Sequence, residues 1–131
     1  DFDESLRLDP GSAEALNNRG NVHLARGNRA NAIADFSGSI AINPRFAEAY
    51  YNRGIARAGE DDLKEATADL TRAIELRPEW GAPYAIRAQA RELTGDQKGA
   101  LEDARKGVQL GVDEDQRKSL EDLFKRLRED L

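Results

Sequence analysis

Three phrases decide the reading: Ser5-Leu6-Arg7-Leu8-Asp9-Pro10, Ser39-Ile40-Ala41-Ile42-Asn43-Pro44 and Ala73-Ile74-Glu75-Leu76-Arg77-Pro78. Their prolines stand 34 residues apart, and self-similarity at one fixed period is the mark of a stack of repeats. Working outward, the same step recurs in unrelated phrases. Asn18-Arg19-Gly20 returns as Asn52-Arg53-Gly54 and again as Ile86-Arg87-Ala88. Asp1-Phe2, Asp35-Phe36, Asp69-Leu70 and Asp103-Ala104 follow the same spacing, as do Ala32, Ala66 and Ala100.

Composition fits helices. The 131 residues are 39% hydrophobic and 34% charged but only 6% aromatic, with Ala, Leu, Arg, Glu and Asp dominant. Without cysteine, neither a disulfide framework nor a thiolate metal site can form. No apolar run approaches the roughly 20 residues that span a bilayer, so no membrane insertion is expected. A net charge of -5 opposes binding to phosphate backbones, and no nucleic-acid partner is expected.

Within each period the apolar residues recur at helical spacing. Leu63, Ala66, Leu70, Ala73 and Ile74 lie along one face of a single helix. Breaks at Gly27-Asn28, Gly59-Glu60-Asp61-Asp62 and Gly95-Asp96 divide every period into two helices, with Asn or Asp placed to cap the second. The proline ends the second helix and turns the chain into the next unit, where Phe46 and Trp80 are expected to staple the turn. Gly20, Gly54, Ala88, Ala32, Ala66 and Ala100 are small where two helices of a hairpin approach closely. Each hairpin leaves an apolar stripe that only a neighbour can cover, so the units must stack.

This pattern resembles the tetratricopeptide repeat: a bulky residue, then Gly or Ala, Gly before the second helix, Ala, an aromatic, Ala, and a closing Pro. The resemblance implies an all-α fold, a right-handed superhelical α-solenoid of antiparallel helix hairpins. Its expected units are the tail of a preceding repeat over 1–10, then repeats over 13–46, 47–80 and 81–114. The third is degenerate, with Ala104, Gly107 and Val112 in place of the usual aromatic, alanine and proline. Leu120, Leu123, Phe124, Leu127 and Leu131 then form the apolar face of a capping helix over 115–131. Because the chain opens inside a helix phrase and contains no methionine, an upstream extension is expected, and the alternative to a peptide-binding role is a structural module of a larger protein that self-associates, as a homodimer through the truncated N-terminal end, or packs on other parts of its own chain.

No catalytic set emerges. His23, the single histidine, falls on a packing position of the repeat, and Asp113-Glu114-Asp115 reads as a helix start instead of a calcium loop. Gly95-Asp96-Gln97-Lys98 lacks the spacing of a phosphate loop. The chain is therefore expected to be no enzyme and to need no cofactor. The family usually places Leu and Tyr where this chain has Arg19, Arg53 and Arg87, then His23, Arg57 and Arg91. Asp35, Asp69 and Asp103 run parallel to the first arginine row, which predicts a ladder of bidentate ion pairs between helices that specifies packing geometry more than it adds stability.

In the family, first helices line a concave groove that binds a protein or peptide. That implies a peptide-binding set of Glu14, Asn17, Asn21, Leu24, Glu48, Tyr51, Asn52, Ile55, Ala85, Ile86 and Gln89, with Ala82 alongside. Some members grip a terminal carboxylate with cations and two asparagines. Asn21 and Asn52 match those asparagines, while Asn17, Ala82 and Ile86 occupy places of the cations. What remains is a pair of amides for a peptide backbone and Leu24, Tyr51 and Ile55 as apolar anchors.

Overall fold

A computed structural model describes residues 12–130, with side chains described to Arg128. The expected repeat tail over 1–10, the end proposed for dimerisation, and Leu131 lie outside the described residues. Seven helices are present among the described residues, without strands: α1 Ala13–Ala25, α2 Arg29–Ile42, α3 Ala47–Gly59, α4 Leu63–Leu76, α5 Ala82–Leu93, α6 Gln97–Leu110 and α7 Glu114–Asp130. They fall into two compact units divided between Leu76 and Arg77.

In the first unit α1 pairs with α2 and α3 with α4, and α3 also packs on α2 and touches α1. Ser12 starts α1, its hydroxyl accepting from the Ala15 amide at 3.0 Å. Between α1 and α2 lie Phe36, which is fully buried, and Gly20; a Cβ on that glycine would come within 2.5 Å of the Phe36 ring. Gly54 stands in the same relation to Leu70, whose nearest atom would be 3.0 Å away. At Gly20 a methyl group would have to displace the Phe36 ring, whereas at Gly54 the Leu70 side chain would have to give by a few tenths of an ångström. Ala32, Phe36 and Ala56 form the core cluster between α1, α2 and α3, with Leu24 and Ile33 packed on its margin.

In the second unit α5 pairs with α6, and α7 packs across both. Its core joins Ala85, Ala88, Ala100 and Ala104 to Leu120, Leu123 and Leu127 of α7. Alanines dominate one side and leucines the other, so α7 supplies the bulk that the short side chains of α5 and α6 lack. Burying each leucine is worth about 2 kcal/mol. Asp113 starts α7: its carboxylate accepts from the Gln116 amide at 2.7 Å, and Gln116 Oε1 accepts from the Asp113 amide at 3.4 Å.

The break expected over 59–62 is where the chain turns: α3 runs through Gly59, α4 begins at Leu63, and the left-handed residue between them is Asp61, with φ of 61°. Asp61 is in 34-residue register with Gly27 (φ 80°) and Gly95 (φ 88°). In all three turns the following amide reaches back five residues: Asn28 to His23 O, Asp62 to Arg57 O and Asp96 to Arg91 O, at 2.8–2.9 Å. One local expectation needs correction: capping by the Asn or Asp is uneven. Asp96 accepts from the Gly99 amide at 2.9 Å, but the Asn28 side chain makes no capping bond.

Candidate functional site

The aspartates of the second helices are buried: Asp35 is 6%, Asp69 4% and Asp103 3% exposed. Each lies on the stripe that otherwise carries Ala and Leu, so its charge must be met from the companion helix. The arginine sixteen residues earlier meets it in a two-bond fork. Arg19 Nε and Nη2 donate to Asp35 at 2.8 and 2.7 Å, Arg53 to Asp69 at 2.9 and 2.8 Å, and Arg87 to Asp103 at 2.8 Å for both.

A second row of partners was not assigned from sequence. Arg57 Nη1 donates to Asp69 and Arg91 Nη1 to Asp103, both at 2.9 Å, so each of these carboxylates serves two guanidiniums. The signal was present in the 34-residue spacing of His23, Arg57 and Arg91, which sequence alone read only as polarity. In the first hairpin the equivalent is weaker: His23 Nε2 lies 3.6 Å from Asp35, and its buried Nδ1 has no hydrogen-bond partner among the described residues. Arg53 and Arg87 also lie 5.7 and 5.6 Å from the ring centroids of Tyr50 and Tyr84, a further repetition at 34 residues. These buried aspartates are thus engaged with basic side chains inside their own hairpins, an arrangement that positions helices.

The expected peptide-binding residues divide by unit. On α1 and α3, Glu14 and Asn21 are exposed, while Leu24, Glu48, Tyr51, Asn52 and Ile55 are half-buried. Asn17 is 6% exposed, and its carbonyl accepts from the Asn52 amide at 3.0 Å. That bond ties α1 to α3, so both asparagines have a packing role. On α5, Ile86 and Gln89 are half-buried. Ala85 is a correction: it is fully buried against α6 and α7 in the core of its own unit, and offers no surface to a ligand.

Near the C-terminal end of α5, Glu92 accepts from Arg126 Nε and Nη2 of α7 at 3.0 and 2.8 Å. The hydrogen bond from Arg126 holds the Glu92 carboxyl below the usual carboxylate range, against a smaller opposing effect of burial. Among the described residues no three His, Cys, Asp or Glu are grouped to hold a metal ion. No described helix is long and apolar enough to cross a membrane.

Two family models match the sequence, one for a TPR repeat over residues 20–59 and one for a tetratricopeptide repeat over 47–79. No curated protein sequence is significantly similar to the chain. Among solved structures, the Arabidopsis OM64 TPR domain is 27% identical with a TM-score of 0.85, over 92% of this chain and 97% of that one. The first TPR of Spaghetti (RPAP3), bound to the HSP90 peptide SRMEEVD, is 20% identical with a TM-score of 0.81, over 89% and 94%. MamA is 26% identical with a TM-score of 0.76, over 83% of this chain and 60% of that one. With a 34-residue period, three helix hairpins among the described residues, and the all-α solenoid fold of these neighbours, the chain belongs to the tetratricopeptide-repeat family.

Proposed function

We propose that the chain is a non-catalytic protein-interaction scaffold, and that the face formed by α1 and α3 receives a peptide segment of a partner. The observation that carries this reading is the composition of that face. Asn21 is exposed on α1, Asn52 keeps its carbonyl acceptor after donating to Asn17, and Tyr51 and Ile55 stand half-exposed beside them. Amides able to bond a peptide backbone, next to apolar anchors, suit an extended or helical segment. By contrast, the buried Asp69 and Asp103 each serve two arginines, which suits a packing role.

The peptide held by the Spaghetti (RPAP3) domain does not define the ligand here, because 20% identity extends to the fold alone. Asn17, Ala82 and Ile86 supply no positive charge, and Glu14 adds a negative one on α1. The proposed ligand therefore contacts through backbone and apolar groups, without a carboxylate clamp.

Random peptides displayed on phage and selected on the 131-residue chain test the reading. The comparison is an Asn21→Ala, Ile55→Ser variant of matched melting temperature, since replacing Asn52 would also cut the tie between α1 and α3. Enriched peptides that bind the parent and lose the variant support the α1–α3 face. Peptides that bind both equally, or no enrichment, overturn it.

A further inference from the structure

The second unit has a cleft on the flank of α6 and α7 that the α1–α3 reading does not use. Leu120, Leu123 and Leu127 of α7 are buried, yet Phe124 beside them is only half-covered, as is Leu101 on α6; both pack on the margin of the same core. Leu101, Arg105, Phe124 and Arg128 enclose about 170 Å³. Leu101 and Arg105 also line a second hollow of about 410 Å³, beside Gln97, Lys98 and Glu102.

The charge of this cleft runs against that of the molecule. Lys98, Arg105 and Arg128 are exposed and enter no ion pair among the described residues, and Glu102 is the single carboxylate with them. The chain as a whole carries -5. Elsewhere in the fold Arg53, Arg57, Arg87 and Arg91 are all satisfied by aspartate. An apolar floor between unpaired cations selects a ligand with apolar side chains and carboxylates on the same face.

We propose that this cleft docks an acidic amphipathic helix of a partner protein. The walls are two helices, and no strand among the described residues offers an edge to extend, so the helix-in-groove mode is the one the surface supports. Lys98 and Arg105 are seven residues apart on α6, about 10 Å along its axis at 1.5 Å per residue. Carboxylates at i and i+7 of the incoming helix meet them, and apolar residues at i+3 and i+4 cover Leu101 and Phe124.

The probe is a synthetic, side-chain-stapled helical peptide with Glu at i and i+7, Leu at i+3 and Phe at i+4, titrated into the full chain by fluorescence polarisation. A second peptide carries Lys in place of both Glu. The expected result is saturable binding of the acidic peptide, weakened by about tenfold or more in the Lys98→Glu, Arg105→Glu variant. The lysine peptide is expected to bind that variant in preference to the parent. Both substituted side chains are exposed, so an unchanged thermal melt separates lost binding from lost fold. Equal affinity of the acidic peptide for parent and variant, or no saturable binding, overturns the proposal. Concentration-dependent dimerisation of the parent that the variant abolishes also overturns it, because the occupant is then a second copy of the chain.

Discussion

Replacing Asp69 by alanine removes the acceptor of three charge-assisted bonds, from Arg53 Nε at 2.9 Å, Arg53 Nη2 at 2.8 Å and Arg57 Nη1 at 2.9 Å. The two guanidinium side chains are only 16% and 22% exposed, so water cannot fully replace the lost carboxylate. Some relief remains: Arg53 keeps the Ser37 hydroxyl at 3.2 Å and Arg57 keeps Glu65 at 3.8 Å. Breaking a buried pair by removing one partner costs 3–5 kcal/mol, and the residual contacts place Asp69→Ala at about 3 kcal/mol. Asp35→Ala strips a pair in which Arg19 is 35% exposed and the second base is an imidazole at 3.6 Å, so its cost is about 1 kcal/mol. Because desolvation opposes the whole network, the triple change Arg53→Met, Arg57→Met, Asp69→Leu is expected to recover most of the loss. Urea unfolding followed by far-UV circular dichroism measures all three variants, provided the slope with denaturant is unchanged. Equal losses for Asp69→Ala and Asp35→Ala, or no loss in either, would refute the argument that burial and the second arginine set the strength of each rung.

Three further outcomes follow from the same geometry. His23→Arg places a guanidinium where Arg57 and Arg91 stand in their hairpins, and should stabilise the chain by about 0.5–1 kcal/mol in the same urea assay; a loss of stability would count against the shared pattern. Asp61→Gly relieves a left-handed residue at φ 61° and should raise stability by about 0.5 kcal/mol, less than the full left-handed penalty because glycine also loosens the unfolded chain; a lower midpoint would contradict it. The Glu92 carboxyl is held below its ordinary value by Arg126, so its contribution is present above the unfolded pKa of a glutamate and disappears as pH falls through the folded value. Acid unfolding of Arg126→Ala should therefore lose that part of the pH dependence below about pH 4.5, by no more than about 1 kcal/mol for a pair this exposed; identical acid profiles would oppose it.

Much of the fold was legible because one period governs several independent features. Prolines end the second helices, glycines or alanines permit close approach, and an apolar stripe marks each buried face. The turn at 60–62 was legible as a break, but its left-handed residue was not, because aspartate there adopts the conformation that glycine adopts at 27 and 95. The double use of each aspartate was hidden for a similar reason. Sequence spacing shows that Arg57 and Arg91 repeat, but only the rotation of the first helix shows that a residue four positions beyond Arg53 or Arg87 points at the same carboxylate. Ala85 was misplaced because a family position on the first helix does not state which neighbours cover it. Once α7 lies over α5 and α6, Ala85 joins the core. The charge character of the cleft at Leu101 and Phe124 had no counterpart in the pattern, since its residues come from a second helix and a cap.

The small residues of the hairpins show how a strict period can tolerate changing sequence. At one pair of positions sixteen residues apart the chain has Gly20 with Phe36, then Gly54 with Leu70, then Ala88 with Ala104. Phe36, Leu70, Ala88 and Ala104 are all fully buried. As the first-helix position gains a methyl group, the facing residue loses most of its bulk, so the helices need not separate. Ala104 leaves volume that Phe36 and Leu70 fill in their own hairpins, and the leucines of α7 join the cluster that contains it. The aromatic missing from the third hairpin and the apolar face of the last helix are therefore two parts of one packing solution: a cap that supplies leucine where the repeat no longer supplies its own large side chain.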